Sequence, residues 1–206
     1  FELDKFDNIE IHHLKSCDRI FVCSKWARDV MYEQLGATAH KVDVIPLGVD
    51  SSVFQPVEPV KKDKIIFFNC GKWEVRKGHD ILIKAFKKIA DKYENVELWM
   101  MCQNPFNSED EENRWKQLYN HPKVRLISRV ETQEEVYNIM CKVDCGIFPS
   151  RGEGWNLELL EMMAMGKHVI ATDYSAHTEF CTHKNSILIP ITDKTSAFDG
   201  KWFFGQ

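Results

Sequence analysis

The chain has 206 residues, of which 44% are hydrophobic and 28% charged, and its net charge is −4. This composition is typical of a globular protein with room for one large domain or one and a half. The net charge excludes a general basic footprint for nucleic acid or membrane. No apolar run approaches the length of a membrane-spanning helix.

The cysteines and histidines predict neither disulfides nor a metal site. The seven cysteines form no CxxC pair, and most lie in apolar runs such as FFNCG and WMMCQ, which indicates reduced, buried thiols of a cytoplasmic protein. The histidines show no HExxH or other metal spacing. No signal peptide is recognised, and a first residue of Phe1 rather than Met suggests a fragment.

The first part of the chain predicts a strand, a helix and a second strand. The helix over 24–36 begins at Ser24 and ends at Gly36, and the strands flank it at 18–24 and 41–50. Residues 51–64 are rich in Pro, Ser and Lys and are typical of a linker. A domain boundary is therefore predicted there, between residues 1–52 and 53–206.

After this boundary, apolar runs alternate with amphipathic segments. Strands are predicted at 64–71, 95–102, 123–130, 144–150, 167–173 and 186–191. Helices are predicted at 77–93, 107–121, 132–143 and 155–165, with a helical turn at 176–181. Capping boxes begin the helices at 107–121 and 132–143. The apolar face of the helix at 77–93 is assigned to Ile81, Leu82, Ala85, Phe86 and Ile89.

Short apolar strands that alternate with helices predict an α/β fold with a parallel, doubly wound, Rossmann-like sheet. Ligands of such sheets bind outside the carboxyl ends of the strands. The loops that follow the strands are therefore the candidate functional segments.

The loop CGKWEVRKG carries three cations, Lys72, Arg76 and Lys77, but matches neither GxGxxG nor a Walker A loop. Cations at the ligand edge of an α/β sheet suit a phosphate. A solvated basic turn has the same composition, and the spacing leaves both interpretations open.

The loop SRGEGWNLE leads into a helix whose N-terminus is a potential anion site. Gly152 and Gly154 allow a sharp turn and a close approach of ligand to backbone. A phosphate or diphosphate between Lys72 and Lys77 on one side and the amides of 155–157 on the other is the simplest joint interpretation.

Two glutamates then gain ligand roles. Glu153 lies in the loop and Glu161 eight residues further on, a spacing that returns to nearly the same face of a helix. Carboxylates accept hydrogen bonds from sugar hydroxyls, so each can face one side of a diphosphate. The face of Glu161 is expected to be buried because of Leu157, Leu160 and Ala164, whereas Glu158 is assigned to packing or a salt bridge.

These segments resemble retaining GT-B glycosyltransferases, and family 4 most of all. EGWNLELLE, from Glu153 to Glu161, is similar to the E-x7-E motif. CGKWEVRKGHDILIKAF resembles G-R-x-x-x-x-K-G-x-D-x-L-[IL]-x-A-F, and GKHVIATDYSAHTEF resembles G-[KC]-P-V-I-A-[ST]-D-x-G-x-x-E. DRIFVCSKWARDVMYEQLGATAHKVDVIPLGVDSSVFQP resembles the end of the N-terminal domain and the hinge, and FELDKF an earlier E-T/D motif.

The resemblance implies a two-domain enzyme in which the N-terminal domain binds the acceptor and the C-terminal domain a nucleoside-diphosphate sugar. Residues 1–52 would be a β-α-β remnant of the first domain with the hinge, and 53–206 most of the second, its final helix lying beyond Gln206. The expected reaction is hexose transfer with retention to a glycan or lipid-linked hydroxyl, without metal or cofactor. The expected setting is cytoplasmic polysaccharide or lipopolysaccharide synthesis, with peripheral membrane association.

The resemblance also assigns the site by position. Lys72 and Lys77 would hold the diphosphate, Glu153 would contact the donor sugar, and Glu161 would bind the ribose hydroxyls. Arg129, Val130 and the end of WMMCQ would line the base. Lys72, Lys77 and Glu153 are thus the expected catalytic residues, and the donor-binding residues are Gly71, Arg129, Val130, Gly154, Trp155, Asn156, Leu157 and Glu161.

Three positions depart from the family pattern. Lys72 replaces Arg and gives up bidentate phosphate binding. His168 replaces Pro, with a local backbone effect, and Trp155-Asn156 replaces Phe-Gly, which reshapes the diphosphate and sugar contacts. A sugar-nucleotide epimerase, a phosphorylase of the same fold and a catalytically silent nucleotide-binding module are the alternative functions.

Overall fold

The computed structural model describes residues 2–196, 198–200 and 203; residue 1 of the predicted first domain and residues 197, 201, 202 and 204–206 of the predicted second domain lie outside this range. The helices are α1 (Asn8–Ser16), α2 (Lys25–Leu35), α3 (His79–Lys92), α4 (Glu109–Leu118), α5 (Gln133–Met140) and α6 (Leu157–Ala164). The strands are β1 (Ile20–Val22), β2 (Val42–Val44), β3 (Ile65–Gly71), β4 (Val96–Cys102), β5 (Val124–Leu126), β6 (Cys145–Phe148), β7 (His168–Thr172) and β8 (Ile187–Ile189). Short 3₁₀ helices span Gly36–Lys41 and Ser175–Glu179.

Local capping explains where most helices begin. The Ser24 side chain accepts a hydrogen bond from the amide of Ala27, and Gly36 ends α2, as the sequence predicts. The predicted capping boxes at α4 and α5 are also confirmed. The sequence analysis missed α1, although Asp7 and Glu10 form a capping box at its start.

The main sheet has six parallel strands in the order β5-β4-β3-β6-β7-β8, which confirms the predicted Rossmann-like architecture. β3 pairs with β4 on one side and with β6 on the other, so the winding direction reverses between β3 and β6. A crevice opens outside the carboxyl ends of the strands at such a switch point. The loops after β3 and β6, distant in sequence, are therefore spatial neighbours.

The first part of the chain forms a separate two-stranded sheet. β1 and β2 are parallel and α2 connects them, which confirms the predicted β-α-β unit. Its core contains Phe6, Val22, Met31 and Val42. The division of the chain at residue 52 remains a prediction. Within the described residues, no helix is long and apolar enough to cross a membrane.

Two predicted helix faces are wrong in part. On α3, Leu82 and Phe86 are buried as predicted, but Ile81, Ala85 and Ile89 are exposed. The other residues that α3 buries are His79, Ile83 and Ala90. On α6, Leu157 is exposed, whereas Leu159 and Met162 are buried. Both helices carry apolar residues around more than one face, so contact with the sheet, rather than periodicity, decides which face is buried.

Candidate functional site

A cavity of about 690 Å³ lies at the switch point. The loops after β3 and β6, the start of α6, the end of β4 and the segment before α5 form its wall. Every residue predicted to contact a donor lines this cavity: Gly71, Lys72, Lys77, Arg129, Val130, Glu153, Gly154, Trp155, Asn156, Leu157 and Glu161. The structure thus brings the predicted site residues together, while their ligand roles remain predictions.

The three cations after β3 have different surroundings. Lys77 is buried, and its Nζ lies 3.0 Å from Oε1 of Glu153. Burial alone would lower the pKa of Lys77, but Glu153 and Glu158 raise it above its usual value, so the ammonium is charged. Lys72 is exposed, and its Nζ lies 5.2 Å from the ring centroid of Phe106. The solvated-turn interpretation therefore holds for Lys72 and is wrong for the other two cations.

Arg76 is the centre of a buried ion-pair cluster. Its guanidinium lies 2.7 Å from Glu153, 2.6 Å from Glu74 and 2.7 Å from Glu2. It also donates a hydrogen bond to the carbonyl of Gly152. The sequence analysis grouped Arg76 with the cations that suit a phosphate. These carboxylates neutralise Arg76, so it is not free to bind one. Glu2 and Glu74 were missed because their contacts with Arg76 depend on the folded chain.

Glu153 is fixed on every side. It is 1% exposed, its Oε1 accepts a hydrogen bond from Ser150 Oγ at 2.7 Å, and its amide donates to Ser175 Oγ at 2.9 Å. Burial alone would raise the pKa of Glu153, but Arg76 and Lys77 outweigh it and hold that pKa well below the usual range. Glu153 is therefore an ionised carboxylate that Ser150, Arg76 and Lys77 hold in the wall of the cavity.

Asn156 forms the turn into α6 with φ of 82°, a left-handed conformation that few residues other than glycine and asparagine adopt. Its Oδ1 accepts from the amide of Leu159, and its Nδ2 lies 2.9 Å from Nε2 of the buried His177. Burial lowers the pKa of His177, so the neutral ring can accept this hydrogen bond. Asn156 thus keeps the turn that Gly would provide in the resembled motif, and adds a side-chain cap.

The predicted helical relation between the two glutamates is wrong, because α6 begins only at Leu157. Glu153 reaches the cavity from the loop and Glu161 from the second turn of the helix. Glu161 is half-buried rather than buried. Partial burial and the neighbouring Glu158 carboxylate raise the pKa of Glu161 to about 7.

Glu158 also lines the cavity, which the sequence analysis did not expect. It was assigned to packing or a salt bridge, yet no described residue forms an ion pair with it within 4.0 Å. Helical periodicity could have found it, because Glu158 and Glu161 are three residues apart on one face of α6.

The six-stranded parallel sheet with a cavity at its switch point is an α/β architecture that this chain shares with solved GT-B glycosyltransferases. A glycosyltransferase of Rickettsia africae superimposes with a TM-score of 0.74 at 18% identity, over 93% of this chain and 55% of that one. Anabaena Alr3699/HepE, solved with UDP-glucose, also superimposes with a TM-score of 0.74. The identity is 17%, over 90% of this chain and 54% of that one.

Sequence comparison places the chain within this class. Residues 63–200 match the family described as Glycosyl transferases group 1, and the chain belongs to that family. It is 25% identical over 192 residues to mannosylfructose-phosphate synthase of Agrobacterium fabrum, covering 84% of this chain and 42% of that protein. It is 23% identical over 197 residues to the GPI3 subunit of phosphatidylinositol N-acetylglucosaminyltransferase of Saccharomyces cerevisiae. This match covers 90% of this chain and 42% of that protein. The chain thus spans less than half the length of these curated relatives.

Proposed function

We propose that the full-length protein is a retaining glycosyltransferase that moves a hexose from a nucleoside-diphosphate sugar to a hydroxyl of a glycan or lipid-linked acceptor. One observation carries this proposal: the Lys77 ammonium and the N-terminus of α6 meet in a single cavity, which Glu153 and Glu161 enter at different points. Cationic groups suit a diphosphate, and carboxylates suit the hydroxyls of the two sugars beside it.

The diphosphate is proposed to lie between Lys77 and the first amides of α6, with Lys72 as a mobile third contact. Lys72 is exposed and held only by the Phe106 ring among the described contacts, so it can turn towards a ligand. Negative charge develops on the departing diphosphate, and Lys77 and the helix dipole would stabilise it. This electrostatic role requires no metal, cofactor or protein nucleophile.

Glu153 and Glu161 would bind different sugars. The ionised Glu153 carboxylate, held by Arg76 and Ser150, is suited to accept a hydrogen bond from the transferred hexose. Glu161, half-buried on the second turn of α6, is suited to the ribose hydroxyls. Arg129 and Val130, before α5, would line the base, whose identity is left open.

The 206-residue chain is proposed to bind the nucleotide but not to transfer sugar alone. It spans 42% of the length of each of the two curated relatives described above. We propose that further N-terminal sequence binds the acceptor. Anabaena Alr3699/HepE with UDP-glucose and a GDP-mannose-dependent mannosyltransferase of Mycobacterium tuberculosis support a nucleotide sugar as the donor. We place the reaction in the cytoplasm, in polysaccharide or lipopolysaccharide synthesis, with peripheral attachment to a membrane.

Titration calorimetry of the chain with UDP, GDP and ADP tests the proposed donor site. We expect one of them to bind, and Lys77→Met to weaken that binding at least about tenfold, because a charged hydrogen bond is lost. Lys64→Met, a change on an exposed lysine outside the cavity, is the matched control. Thermal melts of both variants check that they fold.

Absence of binding for all three nucleotides would overturn the donor-site proposal. With the full-length protein, donor breakdown without an acceptor would indicate an epimerase, and phosphate-dependent sugar release would indicate a phosphorylase. Nucleotide binding without turnover in every acceptor assay would favour the silent binding module.

A further inference from the structure

Glu158 lies near the Lys77 ammonium, whose charge Glu153 already neutralises. It is the second residue of α6, and its side chain lines the cavity. A Cβ built on Gly71 would lie 3.8 Å from Oε1 of Glu158 and 3.7 Å from Nζ of Lys77. The carboxylate and the ammonium therefore approach the same point beside Gly71, although Lys77 already forms its ion pair with Glu153.

Helix stability alone does not account for this placement. An acidic residue in the first turn of a helix is stabilised by the helix dipole and needs no cavity for that. Glu134 has the same position in α5 and remains exposed outside the cavity. Glu158 instead turns into the cavity, where no hydrogen bond from a described residue fixes its carboxylate.

The cavity also has more carboxylates than cations before any ligand enters. Its cations are Lys72, Arg76, Lys77 and Arg129, whereas its carboxylates are Glu2, Glu131, Glu153, Glu158 and Glu161. Arg76 forms ion pairs with Glu2 and Glu153, and Lys77 with Glu153, so Glu158 is a further carboxylate with no cation of its own within 4.0 Å among the described residues. A diphosphate that binds Lys77 and the first amides of α6 would therefore meet Glu158 as a like charge.

We propose that Glu158 adds negative charge near Lys77, which repels the diphosphate and weakens the binding of the nucleoside diphosphate product more than that of the donor. This inference rests on the proposed donor site. The terminal phosphate of a free nucleoside diphosphate carries about one more negative charge than the same phosphate esterified to a sugar. Repulsion from Glu158 is therefore stronger for the product, which favours its release.

The test uses titration calorimetry on the chain and on its Glu158→Gln variant, with UDP, GDP and ADP and the glucose ester of each. For the nucleotide that binds, we expect Glu158→Gln to tighten the diphosphate about fivefold or more and the sugar ester by a smaller factor. Glu134→Gln, the matched change at the same helical position, should leave both affinities unchanged. A thermal melt should show that Glu158→Gln folds.

Three results would overturn the proposal while leaving the donor site in place, and a fourth would overturn both. Unchanged affinities would mean that Glu158 does not act on the phosphates, and weaker binding would make it a ligand group instead. Equal tightening of diphosphate and sugar ester would remove the preference for product release. If neither the wild type nor Glu158→Gln binds any of the nucleotides, the donor site itself fails, and this inference fails with it.

Discussion

The two ends of the segment from Glu153 to Glu161 place the same residue type in opposite electrostatic surroundings. Glu153 is 1% exposed and lies between Arg76 and Lys77, which hold its pKa well below the usual range. Glu161 is half-buried beside Glu158, and its pKa rises to about 7. Burial opposes ionisation at both ends, so the sign of the neighbouring charge decides the outcome.

The difference comes from where each end points. Glu153 precedes α6 and meets the cationic loop after β3, because β3 and β6 are adjacent strands. Glu161 follows the turn at Asn156 and has a carboxylate of its own helix as its charged neighbour. A motif spacing therefore identifies two carboxylates but does not determine their protonation.

The largest expected change in stability comes from removing Arg76, which keeps Glu153 ionised. Arg76→Met should lower the free energy of unfolding by about 3–5 kcal/mol, because Glu153 and Glu74 lose a buried partner. Urea denaturation at pH 7 measures this change. Arg19→Met breaks the exposed ion pair with Asp43 and should cost about 1 kcal/mol or less. Similar losses for both variants would contradict the assigned role of the buried cluster.

A smaller effect should follow from changing the turn that separates the two ends. Asn156→Ala should cost about 2 kcal/mol, because it loses the cap of α6 and strains a position with φ of 82°. Asn156→Gly keeps the backbone conformation and should cost about half as much. Denaturation curves for the two variants compare these contributions. Equal stability of the two would show that the left-handed turn contributes nothing.

The smallest effect in this series concerns the Glu161 end and has a defined dependence on pH. The raised pKa means that the folded protein binds a proton more tightly than the unfolded chain, so Glu161 costs stability as pH rises from about 4.5 to about 7. Glu161→Gln should therefore gain roughly 1–2 kcal/mol over the wild type at pH 8 relative to pH 4.5, after allowance for solvent screening.

Urea denaturation of the wild type and Glu161→Gln across this pH range measures that difference. The depressed pKa of Glu153 has the opposite sign: its contribution is present above about pH 4.5 and is lost as pH falls. A constant difference between wild type and Glu161→Gln would show that Glu161 does not titrate in this range. Nucleotide titrations of Glu161→Gln report whether the glutamine side-chain amide still binds the ribose hydroxyls.

The sequence by itself determined the strands and helices of the main sheet, the caps of α2, α4 and α5, and the predicted donor-site residues that line the cavity. Alternating apolar segments predict a parallel sheet, and loops after parallel strands share one edge, so local pattern was sufficient for Lys77, Glu153 and Glu161 to be grouped. The capping pair of Asp7 and Glu10 was equally readable and would have predicted α1.

Only the tertiary structure decided how those residues are charged and which sides of the helices are buried. The Glu2–Arg76 ion pair joins residues far apart in the chain, and the direction of Glu158 depends on the turn at Asn156. Burial and the sign of neighbouring charges are properties of packed elements, and a pKa responds to both. Sequence spacing contains neither quantity, so it identified Glu153 and Glu161 but not which of the two is permanently ionised.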